Sequence, residues 1–90
     1  MVEGEKKRFL ANEVIGKNVI SKGTGKLFGK VEDLTFETRT GEIIFILLDK
    51  PTSFAASFEL EKDNRGRYQI PFNSVVAVGD MIVVAEEDIL

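Results

Sequence analysis

The stretch "KVEDLTFETRTGEIIFILLDK", residues 30–50, decides the fold because it holds two strand patterns on either side of a turn. Its second half is a run of six apolar residues, Ile43 to Leu48, which ends at Asp49-Lys50-Pro51. A short apolar run rich in β-branched side chains predicts a buried strand. The segment "TRTGE" predicts a turn in which Gly41 takes a positive φ. The stretch is therefore typical of a β-hairpin.

The first half of the stretch predicts a strand with one irregularity. Leu34 and Phe36 are two residues apart, which is the period of a half-buried strand. Phe28 shares their parity, whereas Val31 does not. We therefore expect a β-bulge near Glu32-Asp33 that changes which side chains face the core.

Outward from this hairpin, four more segments have strand patterns, and turn signals recur about every ten residues. These segments are "KNVIS" (17–21), "FELEK" (58–62), "RYQIPF" (67–72) and "MIVVAEE" (81–87). Single helical turns are predicted at "FLANEVIG" (9–16) and "NSVVA" (73–77), and "PTSFAAS" (51–57) is predicted to be a loop. The six short strands predict a small all-β domain, an antiparallel barrel or sandwich with short helical turns.

The segment "SKGTGKLFGK", residues 21–30, contains three glycines and three lysines, which raises the question of a phosphate-binding loop. A P-loop has four residues between its glycines and then Lys followed by Ser or Thr. Here five residues separate Gly23 from Gly29 and three separate Gly25 from Gly29, and Lys30 is followed by Val31. A strand pattern follows, so no helix N-terminus would face a phosphate. We interpret these glycines as turn residues.

Composition argues against catalysis. The chain has no His and no Cys, which removes the commonest general base, a thiolate nucleophile and the usual zinc ligands. We therefore expect a protein that is not an enzyme and that binds no cofactor and no metal. The longest apolar run has six residues, far fewer than the roughly 20 of a membrane-spanning helix, and no secretory signal opens the chain. We expect no membrane insertion and a cytoplasmic location.

The net charge of −3 is unevenly distributed. Residues 1–30 contain seven cations and three acids, whereas residues 31–90 contain five cations and twelve acids. The basic segment 1–30 includes a candidate basic patch that consists of Lys17, Lys22, Lys26 and Lys30. Such a patch could contact RNA or an acidic partner. The alternative interpretation is solvated lysines on turns.

Two longer segments resemble the PRC-barrel family. The first, "VIGKNVISKGTGKLFGKVEDLTFETRTGEIIFILLD" (14–49), has a short turn ending in Gly, a glycine turn and a G-x-V-x-D-L motif before a hydrophobic strand. The second, "YQIPFNSVVAVGDMIVV" (68–84), is similar to the last segment of that family. The resemblance implies a six-stranded PRC-type β-barrel that serves as a docking module. We expect residues 9–85 to form it, between flexible ends at residues 1–8 and 86–90.

The family includes the cytoplasmic domain of the photosynthetic reaction centre H subunit, the C-terminal domain of the ribosome maturation factor RimM, and small stand-alone archaeal proteins. The chain shows no transmembrane helix and no second barrel, so it is most similar to the stand-alone archaeal type. Some of those proteins are implicated in cell division. The resemblance implies a protein–protein adaptor with a cell-division role as one hypothesis. The alternative is a RimM-like role at ribosomal RNA or a ribosomal protein.

The apolar run predicts an interaction surface. Alternate side chains of a strand face opposite ways, so one set enters the core and the other faces out. Three large outward side chains would expose about 300 Å² of apolar surface, which calls for a cover. The cover is either the "PTSFAAS" loop or the N-terminal turn of the same chain, or else a second barrel in a homodimer or a dimer with a related barrel. The candidate interaction surface therefore comprises Ile43, Ile44, Phe45, Ile46, Leu47 and Leu48.

Overall fold

The computed structural model describes residues 11–58 and 60–89, which form one six-stranded sheet in the order β4-β3-β2-β1-β6-β5. The strands are β1 (Asn18–Ser21), β2 (Leu27–Phe36), β3 (Ile43–Asp49), β4 (Gln69–Pro71), β5 (Val75–Val78) and β6 (Ile82–Val84). There are two short helices, α1 (Ala11–Val14) and α2 (Ser53–Ser57), and two 3-10 turns, Phe72–Ser74 and Glu86–Asp88. The predicted flexible end at residues 1–8 lies outside the described residues.

The sheet is mixed and open, which corrects the prediction of a closed antiparallel barrel. β1 and β6 pair in parallel, with Val19 opposite Ile82, whereas the other strand pairs are antiparallel. β4 and β5 are the two edges of the sheet and are not hydrogen-bonded to each other. The side-chain period of a strand indicates which face is buried but not the direction of the neighbouring strand. The parallel pair is possible because a long connection, residues 22–81, joins its strands.

β2 and β3 form the predicted hairpin, and β2 contains the predicted bulge. Val31 and Asp33 lie opposite consecutive residues of β3, which leaves Glu32 as the extra residue. As a result Val31 and Leu34, three residues apart, are both buried. The predicted change of parity near Glu32-Asp33 is confirmed.

Two segments differ from their predicted structure. The described part of "FELEK" forms no regular strand, and Lys62 makes only an isolated bridge with Tyr68. The segment "NSVVA" was predicted to be a helical turn, but a 3-10 turn ends at Ser74 and β5 begins at Val75. Consecutive β-branched residues favour the extended conformation once a neighbouring strand is present, and β6 provides it. The number of strands therefore agrees with the prediction, although one strand is a different segment.

The core is formed by the inward side chains of all six strands. Burial of each large apolar side chain contributes about 1.5–3 kcal/mol relative to its exposure to water. The strand residues in this cluster are Val19, Phe28, Val31, Leu34, Ile46, Leu48, Ile70, Val75, Ile82 and Val84. Val14 of α1, Ala55 of α2 and Phe72 of the first 3-10 turn complete the described core cluster.

The segment "PTSFAAS" contains a helix, α2, where the sequence predicts a loop. The Oγ1 atom of Thr52 accepts a hydrogen bond from the backbone N of Ala55 and so caps the helix. The rings of Phe54 and Phe58 pack on Phe28, with centroid distances of 4.9 and 5.3 Å. α2 therefore covers the β2 side of the core and not the outer face of β3.

The described residues after β6 are attached to the rest of the domain by a backbone hydrogen bond and a core contact. The backbone N of Ala85 donates to the carbonyl oxygen of Ser74 at 2.8 Å. Ile89 is half-buried and packs against the core. The segment 86–90 was predicted to be flexible. Its described residues, 86–89, form a 3-10 turn that is followed by the core contact of Ile89. Leu90 lies outside the described residues.

Candidate interaction surface

The six candidate residues of β3 differ widely in exposure. Ile46 and Leu48 belong to the core, and Leu47 is only 4% exposed although it lies on the other face of the strand. Ile43 and Phe45 are half-buried, and Ile44 is 38% exposed. The broad outer apolar face that strict alternation predicts is therefore confined to the first half of β3.

A second bulge causes this distribution. Phe36 lies opposite Ile43 and Thr35 lies opposite Phe45, which leaves Ile44 as the extra residue of β3. Ile43 consequently packs against the core, and Ile44 is exposed. Phe36 is 44% exposed at the same end of the hairpin. Two large apolar side chains, Phe36 and Ile44, thus remain in contact with water at the same end of the hairpin.

An open groove of about 360 Å³ lies beside this end of β3, and we term it the β3 groove. Four of its residues are apolar and three are polar, and two of the polar residues are carboxylates. None of the described residues that line it is basic, so this part of the lining is acidic. It is lined by Ile43, Ile44, Phe45, Pro71, Glu37, Glu42 and Asn73.

Within the described part of the chain, the backbone edge of β3 has no neighbouring strand along the same groove. β4 pairs only with Phe45–Leu47 and ends at Pro71, which has no N–H to donate. Among residues 11–58 and 60–89, no strand lies beside Ile43 and Ile44 on the side away from β2. The β3 groove therefore combines apolar side chains with an open strand edge, which are the two features used when an extended peptide adds to a sheet.

A family model for the PRC-barrel domain matches residues 6–88 of the chain. The chain belongs to the PRC-barrel family. This match confirms the resemblance drawn from the sequence motifs, and it includes all six strands and the β3 groove. A comparison with curated proteins found no match.

The four lysines of the candidate basic patch lie in two pairs in this PRC-barrel domain. Lys17 and Lys30 are at the start of β1, and Lys22 and Lys26 are in the turn that follows it. Lys17 donates a hydrogen bond to a backbone carbonyl, and Lys26 lies over the ring of Phe54. The length of β1, about 13 Å, exceeds the Debye length of about 8 Å at physiological ionic strength. The lysines therefore form two basic pairs and not one continuous patch.

A group of four charged side chains lies where the turn after Lys62 meets the β2 bulge. The Nε atom of Arg67 donates to Oδ2 of Asp63 at 2.9 Å, and its Nη1 lies 3.7 Å from Glu32 and 3.9 Å from Asp33. Burial acts to raise the pKa of Asp63, but hydrogen bonds from Arg67 and Arg65 outweigh it and lower that pKa. The pKa of Arg67 is raised, chiefly by its hydrogen bond to Asp63. The group joins the turn to the bulge.

The glycine- and lysine-rich segment is a turn, as the sequence predicts. The backbone N of Ser21 donates to Lys26 O at 2.9 Å, and Gly25 N donates to Ser21 O at 2.8 Å. The hydroxyl of Ser21 accepts from the backbone N atoms of Gly23 and Thr24 at 3.2 Å each. A strand, β2, follows this turn, so the segment does not have the loop-to-helix structure of a phosphate site.

Within the described residues, no group of three or more His, Cys, Asp or Glu side chains could hold a metal ion. The hydroxyls of Ser21 and Ser74 are buried, and each is hydrogen-bonded to backbone: that of Ser74 donates to Pro71 O at 2.7 Å. In the described part of the chain, no helix is long and apolar enough to cross a membrane.

Sequence reasoning missed the residues that complete the groove around β3. The most informative signal was Pro71, because a proline that ends a short edge strand leaves part of the neighbouring strand uncovered. The bulge at Ile44 had no signal, since every residue from Ile43 to Leu48 is apolar. The missed residues are Glu37, Glu42, Pro71 and Asn73.

Proposed function

We propose that this PRC-barrel domain is a non-catalytic protein–protein interaction module that binds its partners at the β3 groove. One observation carries the proposal: Ile44 is 38% exposed in the β3 groove, where no described strand covers the edge of β3, and Phe36 is 44% exposed at the same end of the hairpin. Full burial of such a side chain is worth about 1.5–3 kcal/mol. A protein partner that covers this end of β3 would obtain part of that free energy on binding.

The partner we propose is another protein, and a second copy of the chain is one such partner. A two-fold contact would place the same apolar end of two domains face to face. An adaptor at the archaeal cell-division site is the specific form of this role that the family resemblance implies. Sedimentation at micromolar concentration tests the homodimer, and a single species of 10.0 kDa would exclude it.

Affinity purification with crosslinking from native lysate tests the adaptor role. The baits are the wild type, Ile44→Asp and the matched control Val76→Asp, because Val76 is 43% exposed on β5 and does not line the groove. We expect the wild type and Val76→Asp to recover the same discrete protein and Ile44→Asp to lose it. Equal recovery by all three baits would show that the β3 groove is not the binding site.

The second candidate function is ribosome maturation through contact with ribosomal RNA or a ribosomal protein. The exposure of Lys22 and Lys26 in one turn supports it. Contacts between lysines and RNA phosphates weaken steeply between roughly 50 and 200 mM salt. Cosedimentation with small-subunit precursors that is lost over this range would favour this role, whereas capture of a protein at all these salt concentrations would favour the adaptor.

A further inference from the structure

The outer side of strands β2, β1, β6 and β5 carries a row of apolar side chains. Ile20 of β1 lies opposite Leu27 of β2 and beside Val83 of β6, and Val83 lies opposite Ala77 of β5. Directly paired residues of neighbouring strands share a face of the sheet. The chain neighbours of Ile20 and Val83 are buried, so these two residues are on the outer side. We term the row of four residues the β1 face.

The β1 face is partly exposed and carries no charge of its own. Leu27 is 40% exposed, Ala77 is exposed, and Met81 at the border of the row is 45% exposed. The sequences of β1, β5 and β6 are NVIS, VVAV and IVV, without a charged residue on either side of the sheet. The water-facing side of a sheet is usually polar at alternate positions, and edge strands such as β5 usually carry a charge. An apolar face of this kind is typical of an interface.

Charged residues border the β1 face in a self-complementary arrangement. Two lysines are on the half formed by β2 and β1: Lys30 is on β2 beside the start of β1, and Lys22 follows β1. Two carboxylates are on the half formed by β6 and β5: Asp80 is in the turn between these strands, and Glu86 follows β6. Because β1 and β6 are parallel, Lys30 and Asp80 are at one end of the face. Lys22 and Glu86 are at the other end, where a Cβ on Gly23 would lie 3.4 Å from Oε1 of Glu86.

We propose that a second copy of the chain packs on the β1 face across a two-fold axis that runs parallel to the strands, between β1 and β6. Rotation about this axis places β1 on β6 of the partner subunit and β2 on β5 of the partner subunit, so apolar row meets apolar row. Lys30 then faces Asp80 of the partner subunit, and Lys22 faces Glu86 of the partner subunit. Packed sheets lie about 10 Å apart, a distance that a lysine and a carboxylate side chain span together.

The distribution of charge favours a second copy over a different protein. In a two-fold contact the same surface serves both subunits, so that surface must be complementary to itself. The lysines on one half of the β1 face and the carboxylates on the other half meet this requirement, and each of the two ion pairs forms twice. Asp49 lies opposite Lys30 on β3 and is outside the face.

The size of the β1 face indicates a weak dimer. Four strands are about 19 Å wide, and the five residue levels from Asp80 to Lys22 are about 17 Å long. The face is therefore smaller than the roughly 800 Å² per partner of a standard interface. We expect a reversible dimer with a dissociation constant in the micromolar range or above.

This dimer leaves the β3 groove free. The groove lies at β3 and β4, whereas the β1 face begins at β2 and extends to the other edge of the sheet. A dimer would thus present two grooves, and a protein with two groove-binding segments would bind it more tightly than it binds a monomer. This last consequence rests on the proposed function, but the dimer itself does not.

Sedimentation equilibrium of the purified full-length chain tests the inference. The concentration runs from about 1 to 200 µM, which includes dissociation constants in the micromolar range. We expect the mass to rise from 10.0 kDa toward twice that value. Lys30→Glu and Asp80→Lys each place like charges against each other at two positions, so each variant should raise the dissociation constant at least tenfold.

An equimolar mixture of these two variants provides the decisive comparison. In a heterodimer of Lys30→Glu with Asp80→Lys, opposite charges meet at both positions again. We therefore expect the mixture to recover a dissociation constant close to that of the wild type, although each variant alone does not. Recovery on mixing also shows that both variants are folded.

Two single variants separate the β1 face from the β3 groove. Ala77→Lys places a charge in the apolar row at an exposed position and should remove the dimer. Ile44→Asp changes the groove and should leave the dimer intact.

Three outcomes would overturn the inference. These are a single species of 10.0 kDa at every concentration, a mixture that stays monomeric, and loss of the dimer in Ile44→Asp but not in Ala77→Lys. The last outcome would assign the second copy to the β3 groove. The assay contains no other protein, so the inference can fail while the proposed adaptor role stands, and the reverse also holds.

Discussion

A Cβ atom on Gly29 would lie 3.2 Å from the carbonyl oxygen of Asp49, because β2 passes the end of β3 with no room for a side chain. The φ of Gly29 is +155°, which side-chain-bearing residues rarely adopt. We expect Gly29→Ala to lower the free energy of unfolding by about 1–3 kcal/mol. The matched control is Gly79→Ala, whose added Cβ meets nothing within 4 Å and which should stay within about 0.5 kcal/mol of the wild type. The midpoints of urea unfolding measure the stability of both variants, and equal losses of stability would contradict the close approach of β2 to the end of β3.

The two faces of β3 predict different costs for shortening neighbouring apolar side chains. Leu47 is 4% exposed between Asp33 and Gln69 of the adjacent strands, whereas Ile44 is 38% exposed. We expect Leu47→Ala to lower the free energy of unfolding by about 2–5 kcal/mol. Ile44→Ala should cost roughly 1 kcal/mol or less, because most of its contact is with solvent. Urea unfolding measures the free energy of unfolding of both variants. A larger loss for Ile44→Ala than for Leu47→Ala would show that the assigned register is wrong.

Thr52 fixes α2 to β2 and caps the helix. Its hydroxyl donates to the carbonyl oxygen of Leu27 and accepts from the backbone N of Ala55. We expect Thr52→Ala to destabilise the fold by about 0.5–2 kcal/mol, the usual cost of a lost N-cap. Ser53→Ala, at the next and exposed residue, should have an effect within about 0.5 kcal/mol. Thermal unfolding of both variants checks the prediction, and a neutral Thr52→Ala would argue against the cap.

The interaction between Asp63 and Arg67 should make stability depend on pH in the acid range. Because hydrogen bonds lower the pKa of Asp63 in the folded chain, its stabilising contribution is fully present above the unfolded pKa of about 3.9. That contribution is lost as the pH falls through the lower folded pKa. Asp63→Asn should therefore be less stable than the wild type at pH 7, and the difference should shrink below about pH 4.

Urea unfolding at several pH values measures this dependence on Asp63. Asp80→Asn changes an exposed carboxylate in the turn before β6 and serves as the control with the same loss of charge. We expect little difference between that control and the wild type at any pH. A stability difference for Asp63→Asn that stayed constant down to strongly acid pH would show that the ionised carboxylate is not the stabilising species.

Much of the fold could be predicted from local patterns. The β2–β3 hairpin, the bulge at Glu32 and the turn around Gly25 each follow from side-chain period or turn chemistry, and each is present. "PTSFAAS" and "NSVVA" were assigned wrongly because short polar and β-branched segments have weak preferences of their own. Their conformations depend on which neighbours they meet, Phe28 for α2 and β6 for β5.

The candidate site was predicted only in part. The apolar run pointed to β3, but its periodicity could not show that Leu47 is buried or that the bulge at Ile44 exposes that residue. The lysines appear clustered in the sequence, yet β1 separates them into two pairs. The acidic residues of the groove, Glu37 and Glu42, are separated from Pro71 and Asn73 by about thirty residues of chain, and only the pairing of β3 with β4 brings them together.

The amino-acid sequence alone determined the class of the fold, its PRC-barrel motifs and the residue types available for chemistry, because period, turn residues and composition act over a few neighbouring positions. The tertiary structure decided the parallel pairing of β1 with β6, the open edges at β4 and β5, and the position of the β3 groove. These features depend on which distant strands meet and on where a short strand such as β4 ends. Backbone hydrogen bonds form between any two strands, so the residues of one strand alone do not specify its partner.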